Sequence, residues 1–442
     1  MSPRRSIYAA ILLVLVVTPT LTTSHARAQT AYPGYGPVVV NNNISGADPY
    51  AMGTTQAGGW LPPNPFPSGN MIGGYVPGPM AIADRLWIRA DYLHWWTEGM
   101  DVPALVTTSP DGTARTSAGI LGQPGTRTLF GGGEINNDST SGVRFRTGFW
   151  LNAQGAFAIE SEFFQLLGSQ DDGFQASGDG SPIIARPFFD ASRGIDTAQL
   201  ISYPNLVSGN VRVGSESDLK SFLINARAGL CPIGICNPDG ESDRVDWIIG
   251  YRYLKLEDQI GISENITSEI TSSPGTIAIN ESFRTSNEFN GLQLGVIHQA
   301  NFRRAWLESM LRVAVGSNNQ RVDINGTTTR TENGTTDQFT GGLLAQRSNI
   351  GRYERDEFTM VPEVGFTLGV RLTDWLDATV GYSMLYFPSV VRAGSQIDTD
   401  IDSNLLPPEA DPLVSDGRRP EFKFIESDYW AHGLNLGAEL RF

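Results

Sequence analysis

Ten segments of the chain alternate between apolar and polar residues with a period of two. This is the pattern of a β-strand that has one apolar and one polar face. In the first segment, Ile88, Ala90 and Tyr92 share one face, whereas Arg89 and Asp91 share the other. The segments cover residues 86–96, 142–152, 155–166, 218–230, 244–256, 285–298, 304–316, 357–372, 376–387 and 432–442. Most are 10–15 residues long, which is enough to cross a bilayer at a tilt.

The connections between these segments alternate in length. The long ones cover residues 97–141, 167–217, 257–284, 317–356 and 388–431, and the short ones cover residues 153–154, 231–243, 299–303 and 373–375. Long loops on one side and short turns on the other are typical of outer-membrane barrels. The pattern therefore predicts an all-β, up-and-down antiparallel transmembrane β-barrel of about ten strands. Twelve strands remain an alternative, because residues 341–344 could hide another strand.

Charged residues within the segments share the polar face. This face carries Arg89, Asp91, Arg144, Arg146, Glu160, Glu162, Arg227, Asp246, Arg252, Glu308, Arg312, Glu363, Arg371, Glu439 and Arg441. A charge facing lipid near the bilayer centre costs about 2–4 kcal/mol for Arg or Lys. We therefore expect a lumen-facing charge network. A soluble β-sandwich would also alternate but would bury its apolar face, and the strand lengths and loop pattern favour the barrel.

The N-terminal residues have the composition of a secretory signal peptide. Arg4 and Arg5 precede an apolar stretch at residues 7–17, and a small-residue cleavage site follows. We expect a signal peptide over residues 1–28 with cleavage near Ala28 and Gln29, and the alternative is an N-terminal membrane anchor. Residues 29–83 are rich in Gly and Pro and predict a flexible leader. The barrel is expected over residues 84–442.

The C-terminal segment closes on an aromatic residue. Its apolar positions are Leu434, Leu436, Ala438, Leu440 and Phe442. Such a terminal strand is similar to the signal that the barrel-assembly machinery recognises in outer-membrane proteins. We therefore expect that machinery as a partner during biogenesis, with the bacterial outer membrane and its lipid as the final environment. Other aromatic residues at segment ends predict interfacial girdles: Trp95, Trp96, Trp150, Trp306, Trp375, Tyr386, Phe387, Tyr429 and Trp430.

The chain resembles a known family of bacterial outer-membrane proteins, beta-barrel porin family 7. The resemblance rests on residues 86–96, 129–132, 141–144, 250–254, 361–363, 381–383, 390–392 and 396–398, and it extends over about residues 84–442. It implies a membrane barrel. It implies no substrate, and no site residue is carried over from it.

Charge and cysteine content add two expectations. The formal net charge is −15, so nucleic acid is not an expected partner. The two cysteines, Cys231 and Cys236, are separated by four residues in a turn-like stretch. In an oxidising exported compartment they could form a local disulfide. The sequence contains no feature that predicts an oligomeric state.

A ten-stranded barrel that holds fifteen lumen charges predicts a narrow or plugged interior rather than a wide channel. The protein is therefore interpreted as a porin-like barrel that presents long acidic surface loops. The first alternative is a surface-adhesion or structural barrel without transport. A hydrolase at the rim is the second, because His94 and His432 lie near the same end. Both histidines fall on the apolar face, so we expect girdle residues and no enzyme.

One loop resembles a calcium site in its spacing. Asp398, Asp400 and Asp402 alternate along the chain, and Glu409 follows at the twelfth position. However, Ser403 stands where the calcium loop requires Gly, and two prolines precede Glu409. We therefore expect an acidic loop without metal, and no cofactor.

Overall fold

The structure is a computed structural model that describes residues 85–152, 155–167, 173–229, 243–409 and 418–442. The predicted signal peptide, the leader and both cysteines lie outside these residues. The strands are β1 (Leu86–Thr97), β2 (Met100–Val102), β3 (Val106–Ser109), β4 (Arg127–Phe130), β5 (Gly133–Ile135), β6 (Ser139–Trp150), β7 (Phe157–Leu166), β8 (Phe174–Gly178), β9 (Ile183–Asp190), β10 (Ile195–Ser202), β11 (Val207–Gly229), β12 (Arg244–Ser268), β13 (Gly275–Phe302), β14 (Ala305–Glu332), β15 (Thr335–Thr340), β16 (Gly351–Arg371), β17 (Leu376–Val391), β18 (Asp400–Ile401) and β19 (Glu426–Arg441). Two single 3-10 turns cover Gly394–Gln396 and Ser403–Leu405. No helix in the described ranges is long and apolar enough to cross a membrane.

Ten antiparallel strands close into a barrel. Around the wall they follow the order β1, β6, β7, β11, β12, β13, β14, β16, β17 and β19, and β19 pairs with β1. Two further strands, β8 and β15, join the sheet beside β11 and β14 without adding to the closed ring. The predicted up-and-down barrel is confirmed, and ten strands close it rather than twelve.

Residues 341–344 form a loop and not the additional strand that was considered as an alternative. The backbone N–H groups of Leu344 and Ala345 donate hydrogen bonds to the Glu281 carboxylate, at 2.5 and 2.8 Å. The apolar run is buried because it packs inside the barrel end, and no neighbouring strand pairs with it. Burial of a loop therefore explains a pattern that resembled a strand.

The turn between β13 and β14, the turn between β16 and β17, the start of β1 and the end of β19 lie at one end of the barrel, here called the short-turn end. Near this end the outward face is apolar. Its exposed residues include Tyr92, Phe145, Ile249, Leu311 and Leu436, which are 47, 52, 53, 46 and 49% exposed. Consecutive side chains of a strand point to opposite faces. The charged positions between these residues consequently point into the lumen.

Several strands continue far beyond the predicted boundaries. β12 extends to Ser268, β13 begins at Gly275, β14 extends to Glu332 and β16 begins at Gly351. The prediction of loops over residues 257–284 and 317–356 was therefore wrong. The prediction required an apolar outer face, but this part of the wall has polar outward residues, so its strands do not show the membrane pattern.

The two parts of one strand bury opposite sets of residues. On β12, Trp247 and Ile249 point outward and are 54 and 53% exposed. Further along the same strand Ile260 and Ile262 point inward and are 0 and 2% exposed. The inward face is the even-numbered face throughout. The apolar residues thus change faces where the wall leaves the predicted membrane band.

The long-loop end of the barrel contains a compact domain-like filling, here called the head. Its small sheet has the order β10, β9, β3 and β4, with β18 beside β9, and β2 pairs separately with β5. A single apolar cluster joins these strands to the extended wall, for example through Ile184, Phe283 and Ile324. The predicted long loops after β1, β7 and β17 therefore fold inward over the barrel.

The aromatic residues predicted for the girdles divide into two groups. Trp95, Trp306, Phe387 and Tyr429 lie on the inward face and are at most 2% exposed, so their assignment to a girdle was wrong. Trp150 lines a cavity at the short-turn end. Their positions follow strand parity, which places odd-numbered residues of β1, β17 and β19 and even-numbered residues of β6 and β14 inside. Trp96, Trp375, Tyr386 and Trp430 lie on the outward side or in a turn.

Candidate functional site: the barrel lumen

A layer of ion pairs fills the middle of the lumen. This charged layer consists of Arg144, Arg146, Glu162, Arg252, Glu308, Arg312 and Glu363, all at most 6% exposed. The residues come from β6, β7, β12, β14 and β16. Strand parity aims each side chain inward, and the small circumference brings opposite walls within side-chain reach.

Ion pairs of the charged layer join strands that lie far apart in the ring. Arg146 Nη1 on β6 lies 2.9 Å from Glu308 Oε1 on β14, which is the opposite strand of the ring. Arg312 Nη2 lies 2.7 Å from Glu162 Oε1 and 2.8 Å from Glu363 Oε1. Because Arg312 is on β14 and Glu162 is on β7, the contact between them also joins distant parts of the wall. The lumen at this level is bridged by hydrogen-bonded side chains.

The same contacts link further members of the layer. Arg252 Nη1 lies 2.6 Å from the second oxygen of Glu363. Arg144 lies 3.7 Å from Glu162 and 3.8 Å from Glu363, and it donates a hydrogen bond of 3.2 Å to Ser383 Oγ. Each carboxylate thus contacts at least two guanidinium groups, which offsets the cost of burying the charges.

Two satellite groups extend the network toward the short-turn end. Arg89 donates to Glu439 at 2.5 Å and lies 3.4 Å from Glu308. On another side, Asp246 accepts from Arg227 at 2.6 Å and from Arg244 at 2.7 Å. Arg244 was not among the predicted lumen residues, because it stands at the first position of β12, where the alternation is not yet established.

The structure brings together most of the predicted charge network. Thirteen of its members are buried inside the barrel: Arg89, Asp91, Arg144, Arg146, Glu160, Glu162, Arg227, Asp246, Arg252, Glu308, Arg312, Glu363 and Glu439. The other two, Arg371 and Arg441, lie at the short-turn mouth and are partly exposed. Asp377, which sequence reasoning missed, is also inward and accepts a hydrogen bond of 2.7 Å from the Trp306 indole.

An apolar layer lies beyond the charged layer, toward the head. Its buried residues are Leu93, Trp95, Phe164, Leu166, Leu219, Leu254, Leu256, Phe289, Ala314, Val361, Leu385, Phe387, Val390, Tyr429 and Ala431. Nine of the ten barrel strands contribute to it. Packing between them leaves the charged layer in contact with apolar side chains on this side, for example Arg144 over the rings of Trp95 and Phe164.

A short strap, residues 388–392, lies at the end of β17 beside the apolar layer. The pairing of β17 with β19 is interrupted between Phe387 and Val390, and Ser389 adopts a left-handed φ of 55°. Both backbone groups of Val391 bond the side-chain amide of Asn287 on β13, at 2.8 Å each. The Ser389 carbonyl accepts from Gln320 at 2.7 Å. Side chains of β13 and β14 thus bind the backbone of the strap, and Val390 and Val391 still pair with β19.

Arg392 fixes the end of the strap. Its Nε lies 2.5 Å from Asp258 Oδ2 on β12, and both side chains are at most 2% exposed. Burial lowers the pKa of Arg392, but Asp258 outweighs this effect and the net pKa is raised. The guanidinium also donates to the carbonyls of Glu98 and Gly99, at 3.4 and 3.3 Å. The strap is therefore tied to both β12 and the start of the head.

Glu98 is a titratable group at this junction. Burial raises its pKa to about 7, and Arg392 opposes the rise, whereas Asp428 and Glu134 add to it. The residue follows β1 directly, at the base of the head. Its ionisation therefore places a charge next to the Arg392–Asp258 pair near neutral pH.

A second buried ion pair anchors the head to the wall. Arg186 on β9 lies 2.6 Å from Glu281 Oε2 and 3.5 Å from Glu264 Oε2. Burial lowers the pKa of Arg186, but the two carboxylates outweigh it and raise the pKa overall. Burial raises the pKa of Glu264. Sequence reasoning missed this cluster, since all three residues lie in stretches that were predicted as loops.

The two histidines of the rim hypothesis lie on the outward face. His432 Nδ1 is 2.6 Å from the Tyr382 hydroxyl, and its ring stacks on Trp96 and Trp430 at centroid distances of 6.0 and 4.9 Å. His94 packs edge-on against Trp96 at 4.9 Å. This arrangement is that of an aromatic girdle and differs from a site that opens into the lumen.

The carboxylates of the calcium-like loop contact other protein groups. Asp398 accepts from Arg419 at 2.9 Å, and Asp402 accepts from the Asn404 backbone N–H at 2.9 Å. Glu409 lies 3.4 Å from Arg347. In the described residues no group of three or more His, Cys, Asp or Glu side chains could hold a metal ion. The disulfide predicted between Cys231 and Cys236 lies outside the described residues.

The closed ring and its apolar outer band define a membrane-spanning β-barrel. The chain belongs to the family described as "Putative beta barrel porin-7", which matches residues 87–442, and it is an outer-membrane barrel. No curated protein matches the chain by sequence.

Several solved structures are similar to the chain at low identity. The outer-membrane protease OmpT from Escherichia coli shares 9% identity with a TM-score of 0.36, and the match covers 81% of this chain and 97% of that one. The Pseudomonas putida toluene transporter TodX shares 10% with a TM-score of 0.17, over 82 and 92%. A Pseudomonas aeruginosa FadL homologue shares 11% with a TM-score of 0.21, over 82 and 92%. At these scores the likenesses carry no functional conclusion.

Proposed function

We propose that the protein is a narrow, plugged outer-membrane barrel of the porin type that carries an acidic head on the cell surface. The observation that supports a plugged lumen is the pair of contacts that cross it, Arg146 to Glu308 and Arg312 to Glu162. The apolar layer and the strap lie in series with them. Because the ion pairs, the apolar layer and the strap follow one another along the lumen, we expect no continuous water-filled path through the barrel.

Planar-bilayer recording tests the plug. The purified protein should give no large stable conductance, whereas an open outer-membrane porin in the same bilayer provides the positive control. A triple variant of the apolar layer, Phe164→Ala with Phe289→Ala and Phe387→Ala, should increase small-ion leakage. The matched variant Phe145→Ala faces outward and should leave leakage unchanged. A large stable conductance of the unmodified protein would contradict the proposal.

A second candidate function is surface presentation without transport. The observation in its favour is the ordered head, whose buried cluster is continuous with the extended strands β12, β13 and β14. Such a rigid base suits loops that bind partners. Orientation is its first requirement, and outer-membrane barrels place their short turns in the periplasm.

Cysteine labelling tests this orientation. In a Cys231→Ser and Cys236→Ser background, Ser273→Cys lies in the turn after β12, and Arg304→Cys lies at the opposite end, in the turn before β14. A membrane-impermeant maleimide should label the first variant on intact cells and the second only after permeabilisation. The reverse pattern would exclude presentation of the head outside the cell.

We further propose that the protein has no enzymatic activity and that residues 1–28 direct export before cleavage near Ala28. The outward position of His94 and His432 supports the first statement. N-terminal sequencing of the mature protein tests the second. Phe442→Ser should reduce the folded fraction in the outer membrane if the C-terminal strand is the assembly signal, and unchanged assembly would contradict that role.

A further inference from the structure

A cavity of about 390 Å³ opens at the short-turn end, below the charged layer. This vestibule is separate from the strap and the head. Its lining includes five arginine side chains and only three acidic ones, Glu308, Asp374 and Glu439. The arginines are Arg85, Arg89, Arg227, Arg371 and Arg441. The lining side chains therefore include two more arginines than carboxylates.

Two of the three acidic side chains already have cationic partners. Glu439 contacts Arg89 at 2.5 Å and Arg441 at 2.9 Å. Glu308 lies between Arg146 and Arg89, at 2.9 and 3.4 Å. Arg227 is paired with Asp246 at 2.6 Å, and Arg441 also lies 3.3 Å from Asp377. Among the described residues, Arg85 and Arg371 are the vestibule arginines without a carboxylate partner.

Arg371 is the cation that this arrangement leaves unmatched. It stands at the last position of β16, lines the vestibule and is partly buried. Among the residues that the structure describes, its guanidinium has neither a hydrogen-bond acceptor nor an ion-pair partner, and only its backbone N–H is bonded, to Arg304 O at 2.9 Å. A guanidinium presents five N–H donors in a fixed plane that matches a carboxylate or a phosphate.

The vestibule walls are flat indole rings. Trp87 lies against Gly148 and Trp306 lies against Gly369, so closely that a Cβ atom on either glycine would collide with the ring. Arg89 and Arg441 lie over the Trp306 ring, at 5.0 and 5.7 Å from its centroid. Trp150 is covered in the same way by Arg244, at 4.1 Å. These contacts hold the walls rigidly, so the cavity is formed before a ligand enters.

We propose that the vestibule is a binding site for a small oxyanion, a carboxylate or a phosphate, with Arg371 as its main ligand-contacting residue. A preformed cavity with an unmatched guanidinium is suited to such a group, since a charged hydrogen bond forms there without displacing an internal partner. The site faces the periplasm if the short turns do. It does not depend on whether the lumen conducts.

Ligand-observed NMR titration of the folded, detergent-solubilised barrel tests the site, with benzoate and inorganic phosphate as separate probes. Saturable binding of benzoate alone indicates a carboxylate site, of phosphate alone a phosphate site, and of both a general oxyanion site. Arg371→Ala should weaken binding roughly tenfold, the effect of one charged hydrogen bond. Arg371→Lys should retain part of it.

Arg304→Ala is the matched control. It removes the same charge at the same end of the barrel, and Arg304 is exposed and does not line the vestibule. Its affinity should stay within about twofold of the unmodified protein. The heat shift on gels verifies that each variant is folded. Absence of saturable binding for both probes, or equal weakening by Arg371→Ala and Arg304→Ala, would overturn the proposal.

Discussion

The membrane band and the extended wall around the head are built from the same strands, but the kinds of residue that they turn inward are opposite. In the band the outer face is apolar and the lumen is charged, as Leu311 and Arg312 show on β14. In the extended wall around the head the outer face is polar and the inner face is apolar, as Asn325 and Ile324 show on the same strand. The apolar residues of one continuous strand thus face outward where lipid surrounds the wall and inward where water does.

This difference shows that alternation alone does not identify the core. A period of two only requires two unlike surroundings. In the band, lipid contacts the apolar outer face, so the charged side chains point into the lumen and pair with one another there. In the wall around the head, water contacts the polar outer face, and the apolar inner face is buried against the head. Ion pairs consequently fill the lumen of the band, whereas they serve as isolated ties in the head.

Breaking a tie of the head should have the largest effect. Arg392→Ala leaves Asp258 as an unpaired buried charge, which costs about 3–5 kcal/mol. We expect faster hydrogen exchange in the strap and at the base of the head, with little change in the band. Mass spectrometry of exchanged peptides measures this. The double variant Arg392→Ala with Asp258→Ala should recover part of the protection, and unchanged exchange in Arg392→Ala would contradict the role of the pair.

A charge introduced on the outward face of the wall should have a smaller effect than loss of Arg392. Leu311→Arg places a charge in lipid and should lower the free energy of unfolding by about 2–4 kcal/mol. Asn325→Arg, at the same parity further along β14, should change it by less than about 0.5 kcal/mol. Urea unfolding in lipid vesicles provides both values. Equal losses would mean that the membrane band extends to Asn325.

The smallest effect concerns pH. The pKa of Glu98 is raised in the folded protein to about 7, so the native state binds its proton more tightly than the unfolded state does. Local stability at the strap should therefore be greatest near pH 4.5 or below and fall as the pH rises to about 7. Partial exposure of Glu98 reduces the size of the effect.

Hydrogen exchange of the strap at several pH values, corrected for intrinsic rates, measures this slope. Glu98→Gln should remove it, because the amide does not ionise. Glu216→Gln, which changes an exposed glutamate of the same region, should leave it unchanged. A slope that persists in Glu98→Gln would assign the pH dependence to other groups.

The number and the phase of the barrel strands could be predicted from sequence, because lipid imposes a strict pattern on each of them. The charges of the lumen follow from the same parity. The upper parts of β12, β13 and β14 could not, since water on the outside and the head on the inside reverse the pattern. A reversal of apolar parity within one alternating run, as between Ile249 and Ile260, is the signal that was available in the sequence.

The ion pair and hydrogen bonds that hold the strap could not be predicted from local sequence patterns. Arg392 and Asp258 are separated by 134 positions, and neither lies in a repeating pattern that would indicate its partner. Asn287 contacts the backbone of the strap through geometry that only the bent end of β17 creates. Arg371 was correctly placed near the lumen by parity, but its lack of a partner among the described residues depends on the whole mouth of the barrel.

The seam between β1 and β19 has a consequence for biogenesis. Trp87 faces Arg441 and Ala90 faces Ala438, so the ring closes through residues about 350 positions apart. The strands from β1 to β17 can pair before β19 is present, whereas the pairing of β19 with β17 and the closing contact with β1 both require β19. Until then β1 exposes a free edge that could pair with another molecule. Closure of the ring therefore joins the most distant segments of the wall, and we expect it to be the slowest step of barrel formation.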